Sequence, residues 1–269
     1  MKSVAAIIFV CFCSICCFSQ ANDTLYIHYL DHPPFATLEG SSPKGIEVDI
    51  INEYLLWQKT VKKTNPILKY IAFTDPELFY ASVKNSSHNT IGLGAVTIAP
   101  EKSKEIEFTT SYLKNVAFCI SNGNATDIKA KTQPEIIKTF GSMTALTVTN
   151  TTLNKYVNEI KKSYLPELKL IAEPSGTKIL DEIARNILYF GYVDAITFWF
   201  YVKNNPTKFV KIQKPLIQTK EEFGFILPKG CNQKILFNEF FTAFKKNKNY
   251  HLILEKHLGS YMGQIMAVN

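Results

Sequence analysis

The residue types around Thr97 could hold an anionic or strongly polar group. Residues 91–98 are mostly apolar and contain Gly92 and Gly94, a pattern that predicts a buried strand that a ligand or another backbone can approach closely. Pro100 ends that strand, and Thr97 lies where it opens toward a helical turn with unpaired backbone N–H donors. The same residues also suit an ordinary strand-to-helix corner with proline at the first helical position, so this stretch alone leaves both interpretations open.

A second candidate anion site begins at Thr151. The sequence predicts a helix over residues 151–163, and Thr151 or Thr152 could cap it and also hold an anion at its start. Capping alone is the commoner role for such a residue. His32 precedes two prolines, and it could either face a ligand or be a partly exposed loop histidine.

An aromatic run, Phe-Trp-Phe-Tyr, occupies residues 198–201. The apolar pattern predicts a strand over residues 194–200. Because side chains alternate between the two faces of a strand, about half of the aromatic rings are expected at a cleft and the others in a core.

These candidates are positioned by predicted strands that alternate with predicted helices, the order that places helices on parallel sheets. The predicted strands are residues 24–30, 68–73, 91–98, 116–121, 143–148, 168–172, 194–200 and 223–227. The predicted helices start near residue 46 and then cover residues 76–83, 134–140, 151–163, 177–188, 233–246 and 250–258.

Length and composition predict a globular protein with a sizeable core. The chain has 269 residues, of which 46% are hydrophobic, and a formal net charge of +7; this length allows one large or two small domains. Lys245, Lys246 and Lys248 form a positive cluster that is typical of a solvated helix face, and no nucleic-acid-binding motif accompanies it. The histidines and cysteines show no metal-ligand spacing, so neither a metal nor another cofactor is expected.

The first 21 residues are typical of a secretory signal peptide. Lys2 precedes the apolar residues 4–18, and small residues follow at the expected cleavage site. That run is shorter than the roughly 20 residues that a membrane-spanning helix needs. Lipid attachment at Cys16 or Cys17 is a weaker alternative, because the residues before them suit a lipoprotein cleavage site poorly.

Removal of the leader leaves Cys119 and Cys231, an even pair in a compartment where disulfides persist. A bridge between them and two free thiols both stay open at this stage, because a disulfide requires a geometry that sequence alone does not supply.

A series of short motifs runs through the chain in order. They read His-Pro-Pro-Phe at residues 32–35, Lys-Gly-Ile-Glu-Val-Asp-Ile at 44–50, Thr-Ile-Ala-Pro-Glu-Lys at 97–102, Ile-Glu-Phe-Thr-Thr-Ser-Tyr at 106–112, Val-Thr-Asn-Thr-Thr at 148–152, Gly-Tyr-Val-Asp-Ala at 191–195 and Phe-Gly-Phe-Ile-Leu-Pro-Lys-Gly at 223–230. Each motif alone is weak. Their order and spacing resemble those of the family 3 extracellular solute-binding proteins across nearly the whole chain after the leader.

The resemblance implies an α/β protein with a two-lobed periplasmic-binding-protein-like II fold, each lobe a mainly parallel sheet flanked by helices and joined to the other by two crossover strands. It implies a first lobe of residues 22–114 and 221–269 and a second lobe of residues 115–220. A small-molecule ligand would lie in the cleft between the lobes. The implied protein is a periplasmic monomer that delivers its ligand to the membrane permease of an ABC-type transporter.

The same resemblance implies a set of ligand-binding residues. Aligned on the motifs, they are His32, Phe35, Ala95, Thr97, Lys102, Thr151, Thr152 and Trp199.

Two positions depart from the amino-acid-binding members of that family. Lys102 stands where they place an arginine that clamps the ligand α-carboxylate, and a lysine lacks the planar fork for a two-point grip. Trp199 stands where they place an aspartate for the α-ammonium, while Asp194 is interpreted as structural. We therefore expect a small organic ligand with at most one anionic group, stacked against Trp199 and His32, rather than a standard α-amino acid.

Three classes of function are compatible with these motifs. Ligand uptake is the first, and a sensory or docking protein that uses the same fold is the second. The third is a dehydratase-type enzyme, which would need a general acid or base in the cleft. Glu101, Glu173 and His32 form no paired constellation in the sequence, so no catalytic residue is predicted.

Overall fold

Strands and helices alternate along the computed structural model, which describes residues 24–39, 42–86 and 89–268. The strands are β1 (Thr24–Leu30), β2 (Thr37–Glu39), β3 (Ser42–Lys44), β4 (Ile67–Phe73), β5 (Thr90–Leu93), β6 (Glu107–Phe108), β7 (Leu113–Asn122), β8 (Thr144–Thr147), β9 (Lys169–Ala172), β10 (Tyr189–Asp194), β11 (Val210–Ile212), β12 (Gln218–Phe223) and β13 (Ile226–Leu227). The helices are α1 (Ile46–Trp57), α2 (Pro76–Lys84), α3 (Gln133–Phe140), α4 (Thr152–Ser163), α5 (Gly176–Arg185), α6 (Ala195–Asn204), α7 (Gln233–Phe244) and α8 (Lys248–Met266). The predicted leader lies outside the described residues.

The first lobe is built on a sheet with the strand order β4-β1-β5-β13-β6. Strand β1 runs parallel to β4 and β5, and β13 runs antiparallel to β5 and β6. Leu25, Ile27 and Tyr29 alternate along β1 and are buried in the core of this lobe. The alternating pattern of residues 24–30 therefore produces the central strand on which the first lobe packs.

The second lobe is built on a sheet with the order β11-β7-β10-β8-β9. Strands β10, β8 and β9 are parallel, and β7 runs antiparallel to β10 and β11. Helices α3 and α4 pack on this sheet through Ile136, Phe140 and Val157, which share one buried cluster with Phe190 of β10.

Two paired strands carry the chain between the lobes. Strand β7 begins at Leu113 in the first-lobe core and continues into the second sheet. Strand β12 returns antiparallel to it, with Gln218 opposite Ala117 and Phe223 opposite Leu113. The two-lobed α/β fold predicted from the sequence is thereby confirmed.

Aromatic side chains dominate the first-lobe core. Phe225 stacks on Tyr112 with ring centroids 4.4 Å apart and meets Phe237 of α7 edge-on at 5.0 Å. Burying each such ring contributes roughly 1.5–3 kcal/mol. Helix α7 buries Phe240 and Phe241 in this core, whereas Ile235 in its first turn is 70% exposed.

The largest difference from the sequence-based prediction concerns residues 194–200, which are not a strand. Strand β10 ends at Asp194 and helix α6 begins at Ala195, so the aromatic run lies on a helix. Thr197 and Tyr201, four residues apart, are both buried in that helix. Strand propensity depends on how a side chain packs in its surroundings. Here the burial of residues on one face of α6 outweighs the general preference of Ile, Phe and Trp for strands.

None of the helices in the described residues combines the length and the apolar character that crossing a bilayer requires.

Candidate functional site

A cleft of about 230 Å³ lies between the two lobes. The first lobe contributes the loops that follow β1 and β5 and the first turns of α2. The second lobe contributes the segment after β8, the starts of α4 and α5, and Asp194 at the end of β10. The cleft thus lies at the carboxyl ends of parallel strands, where open α/β sheets usually bind ligands.

Glu47 of α1 holds the loop after β5 in place. Its Oε1 accepts hydrogen bonds from the backbone N–H of Gly94 at 3.3 Å, from that of Ala95 at 3.0 Å and from the Tyr112 hydroxyl. Ala95 has a φ of +48°, a left-handed conformation that costs a non-glycine residue about 1 kcal/mol or more. Burial raises the pKa of Glu47 to about 7, against the opposing effect of these three donors. Glu47 therefore fixes the backbone that leads to Thr97.

Lys102 lies on the first-lobe wall, in the short turn Lys102–Lys104. Its Nζ is 5.1 Å from the centre of the Tyr80 ring, and it has no carboxylate partner among the described residues. Burial lowers the pKa of Lys102 to about 8. A desolvated ammonium group without a counter-charge is the part of this wall best suited to an anion.

Two helix N-termini form the opposite wall. The Thr151 side chain accepts a hydrogen bond from the Asn154 amide at 3.2 Å and caps α4, and Ser175 caps α5 in the same way through Lys178 at 3.2 Å. Each cap satisfies one of the free N–H groups in the first turn, and the positive end of the helix dipole persists. Thr151 is therefore a cap and a cleft residue at once, the two roles that the sequence left open.

The lobes also touch each other directly across the cleft, which indicates a closed conformation. His32 Nε2 lies 3.1 Å from Thr197 Oγ1, and the Thr152 hydroxyl lies 3.2 Å from Thr97 Oγ1. Glu77 Oε1 accepts hydrogen bonds from Thr149 Oγ1 at 2.7 Å and from Asn150 Nδ2 at 3.0 Å. One ion pair also joins the lobes, between Lys155 Nζ and Glu101 Oε1 at 2.8 Å. Burial lowers the pKa of His32 to about 4, although nearby Asp31 opposes the shift. His32 is thus a neutral hydrogen-bonding partner in the closed form at ordinary pH.

Two carboxylates meet at the floor of the cleft. The Asn115 amide Nδ2 donates to Asp194 Oδ1 at 2.7 Å and to Glu221 Oε2 at 2.8 Å, while the Tyr156 hydroxyl donates to Glu221 Oε1 at 2.5 Å. Burial and the neighbouring Glu221 charge raise the pKa of Asp194 to about 7, and burial also raises that of Glu221. Of this pair, Asp194 lines the cleft.

The sequence profile of the bacterial extracellular solute-binding proteins, family 3, matches residues 26–260. The chain belongs to this family. A comparison with curated proteins finds no significant match.

Solved structures confirm the fold of this family 3 protein. The arginine-, lysine-, histidine-binding protein ArtJ from the thermophilic bacterium Geobacillus stearothermophilus has a TM-score of 0.69 at 18% identity, covering 88% of this chain and 95% of that one. The GluR0 ligand-binding core from Nostoc punctiforme in complex with L-glutamate has a TM-score of 0.70 at 17% identity, covering 87% and 99%. The ancestral amino acid-binding protein AncCDT-1, a precursor of cyclohexadienyl dehydratase, has a TM-score of 0.67 at 18% identity, covering 87% and 95%. At these identities the similarity concerns the fold alone.

Most of the residues that the motifs nominate come together in the cleft of this solute-binding protein. His32, Ala95, Thr97, Lys102, Thr151 and Thr152 all line it.

The family motifs also predicted Phe35 and Trp199 as ligand-binding residues. Neither is among the described residues that line the cleft. Phe35 is fully buried in the first-lobe core, and its ring centroid lies 5.0 Å from that of His32 at the cleft. Trp199 packs against the same core, with Lys203 Nζ 4.9 Å from its ring, because residue 199 lies on a helix and not on an alternating strand.

Asp194 is the cleft residue that sequence reasoning assigned to structure alone. It is the last residue of β10, at the N-cap position of α6, but its side chain makes no capping hydrogen bond. The Val-Asp-Ala motif marks this position in the sequence. Because a strand was predicted over residues 194–200, the sequence did not indicate that the chain turns into a helix there and leaves the Asp194 carboxylate at the cleft.

Cys119 and Cys231 are free thiols, so the disulfide considered from the sequence is not formed. Cys119 is buried in the second-lobe core, whereas Cys231 lies in the first lobe with its Sγ 3.9 Å from the Thr90 carbonyl oxygen. Among the described residues, no group of three or more His, Cys, Asp or Glu side chains could hold a metal ion.

Proposed function

We propose that this family 3 protein captures a small organic ligand with at most one anionic group in the interlobe cleft and delivers it to the permease of an ABC-type transporter. The observation that carries the proposal is Lys102, a largely desolvated ammonium group that lines the cleft without a carboxylate partner among the described residues. An anion bound there would supply the opposite charge that offsets the cost of burying the ammonium group.

Capture follows from closure of the lobes. The anion would lie between Lys102 on the first lobe and the N-terminus of α4 on the second, where Thr97 and Thr152 already share a hydrogen bond. A ligand that touches both walls binds the closed form better than the open form and so shifts the protein toward closure. The closed form is the one that a permease would recognise.

We further propose that the ligand is not a standard α-amino acid. Lys102 is a point charge where the amino-acid-binding pattern has a planar guanidinium. Position 199, which in that pattern supplies the aspartate for the α-ammonium, is a tryptophan that packs against the first-lobe core. An α-amino acid would therefore lack its usual partners at both ends.

The protein would act in the periplasm as a monomer after removal of residues 1–21, and it would bind without catalysis. Release of a chemically altered product from a purified sample would contradict the binding role and favour a dehydratase-type enzyme.

A thermal-shift screen of the chain from Asn22 tests the proposal. The panel contains amino acids, small carboxylates, sugars and aromatic metabolites, because a compound that binds only the folded state raises the melting temperature. We expect a small carboxylate other than a standard α-amino acid to give a shift. A response limited to ordinary amino acids would refute the proposed ligand class.

A variant pair then tests the role of Lys102. Lys102→Met removes the charge and keeps an unbranched side chain, and we expect affinity for an anionic hit to fall by roughly 10- to 100-fold, the usual value of a hydrogen bond to a charged group. Lys104→Met, at an exposed position in the same short turn, is the matched control and should leave the affinity unchanged. Equal affinities for wild type and Lys102→Met would make Lys102 an ordinary surface charge.

A further inference from the structure

Most polar side chains that line the cleft already have a hydrogen-bond partner within the protein. The contacts between the lobes occupy His32, Thr97, Thr149, Asn150 and Thr152. The caps of α4 and α5 occupy Thr151 and Ser175. A ligand group that bonds to one of these side chains shares or replaces a bond that the protein already has, which adds little affinity.

The two carboxylates in the lining are engaged as well. Asp31 is exposed and accepts a hydrogen bond from the Thr37 hydroxyl at 2.5 Å. Asp194 accepts one from the Asn115 amide at 2.7 Å, and only 8% of its surface is exposed. Asp194 therefore presents little surface to a ligand and disfavours a second anionic group near it.

Lys102 is the charged group of the lining without such a partner among the described residues. The group recorded beside its Nζ is the face of the Tyr80 ring, 5.1 Å away. Thr74 also has no side-chain partner in this part of the chain, but it is exposed, so water can satisfy its hydroxyl. The cleft thus offers a ligand one uncompensated charge, at Lys102.

The remaining lining is apolar and comes from both lobes. The first lobe supplies Leu30, Pro76 and Tyr80, and the second supplies Val148, Leu153 and Pro174. Pro76 is half-buried at the start of α2, Pro174 is exposed just before α5, and neither belongs to a core cluster of the described residues. Closure of the lobes on an apolar group would remove both proline rings and that group from water together.

We propose that the cleft takes a short apolar monocarboxylate, a compound whose body carries neither an ammonium nor a hydroxyl group. Its carboxylate binds between Lys102 and the N-terminus of α4, and its apolar body lies between the walls that contain Pro76 and Pro174. This inference rests on the proposed function and names its ligand class. The cleft volume of about 230 Å³ holds about eight groups of the size of a water molecule, so a chain of about six carbons fills it.

A chain-length series tests the apolar body. Calorimetry at pH 7 compares butyrate, valerate and caproate, which differ from one to the next by one methylene group. Each additional methylene group that leaves water should raise the affinity by about fourfold. Affinities that do not rise from butyrate to caproate would overturn the inference.

Three probes of equal length test the end of that body. Caproate, δ-hydroxyvalerate and δ-aminovalerate end in a methyl, a hydroxyl and an ammonium group. Caproate should bind roughly tenfold more tightly than either polar probe, or better, because those groups would leave water without gaining a new partner. A polar probe that binds as tightly as caproate would refute the apolar ligand class, and an advantage for δ-aminovalerate would mean that the cleft holds a partner for a cation.

Two proline variants locate the apolar body in the cleft. Pro76→Ser and Pro174→Ser each remove an apolar ring from one wall, and each should weaken caproate binding by about fourfold and narrow its advantage over δ-hydroxyvalerate. Pro206→Ser changes an exposed proline in the loop after α6, outside the described lining, and as the matched control it should alter neither quantity. An unchanged preference for caproate in both cleft variants would overturn the inference, and the use of one variant on each lobe provides a test even if one of them is unstable.

The failure of this inference is distinguishable from that of the proposed function. Carboxylates that bind in a manner dependent on Lys102, without any gain from added methylene groups, would refute the apolar ligand class and leave the proposed function standing. Caproate that binds equally to wild type and Lys102→Met would count against the proposed function itself. No binding by any of these probes would overturn both.

Discussion

Replacement of Lys102 by methionine should make the ligand-free protein more stable. Burial lowers the pKa of Lys102 from an ordinary value of 10.5 to about 8. At 1.36 kcal/mol per pH unit, holding this amine charged in the folded state at pH 7 costs about 3 kcal/mol. The Tyr80 ring, 5.1 Å away, returns about 0.5–1 kcal/mol. We therefore expect Lys102→Met to raise the free energy of unfolding at pH 7 by about 2 kcal/mol.

The pH dependence distinguishes this electrostatic cost from a simple gain in apolar packing. Between pH 8 and 10.5 the unfolded chain holds more protons at this residue than the folded chain, so the free energy of unfolding of the wild type rises with pH. From pH 8 to 9.5 the rise should be about 2 kcal/mol, and Lys102→Met should lack it. The stability advantage of the variant is thus expected at pH 7 and lost by pH 9.5.

Urea unfolding at pH 7, 8, 9 and 9.5 measures the stability difference between wild type and Lys102→Met and the way it changes with pH. Lys104→Met is the control for the loss of an exposed lysine. A stability difference between wild type and Lys102→Met that stays constant across this range would refute the electrostatic reasoning. A variant less stable than the wild type at pH 7 would show that the amine has a partner in the free protein.

Three further perturbations have defined outcomes. The free energy of unfolding should fall as the pH drops from 6.5 toward 4 because His32 is buried neutral beside Thr197; His32→Asn should reduce that slope in urea titrations. Glu77→Ala removes two hydrogen bonds between the lobes and should destabilise the closed form by about 1 kcal/mol, seen as a larger radius of gyration in X-ray scattering. Because Cys119 and Cys231 are free, a reducing agent should leave the melting temperature unchanged, and thiol titration of the unfolded chain from Asn22 should find both reactive.

The sequence predicted the parts of the fold that repeat a simple pattern. Residues 24–30 alternate and form β1, and residues 151–163 match α4 within a single residue because a threonine cap and a regular apolar face define that helix. The strand predicted over residues 91–98 is shorter, since β5 ends at Leu93 and the chain then passes through the left-handed Ala95. The contacts of Glu47 with that loop depend on the tertiary structure, which local propensity does not describe.

The sequence identified only those cleft residues that belong to short motifs. Lys102, Thr97 and Thr152 follow from short motifs and line the site, whereas the role of Trp199 depended on a strand that the chain does not form. The floor could not be derived from spacing, because Asn115, Asp194 and Glu221 come from three strands far apart in sequence. The pairing of both β10 and β12 with β7 brings them together, since Asp194 lies opposite Ala117 and Glu221 opposite Asn115.

The charge of Lys102 predicts how the affinity for an anionic ligand depends on pH. Burial lowers the pKa of Lys102 to about 8, so its side chain is charged below that pH and neutral above it. A small carboxylate stays ionised above about pH 5.5, and its affinity should therefore be constant from about pH 5.5 to 8 and then fall by about tenfold per pH unit. Calorimetry across that range checks the profile for the carboxylate that binds best. Lys102→Met should bind more weakly and lack the fall above pH 8, whereas a flat profile in the wild type would mean that the Lys102 charge does not face the bound compound.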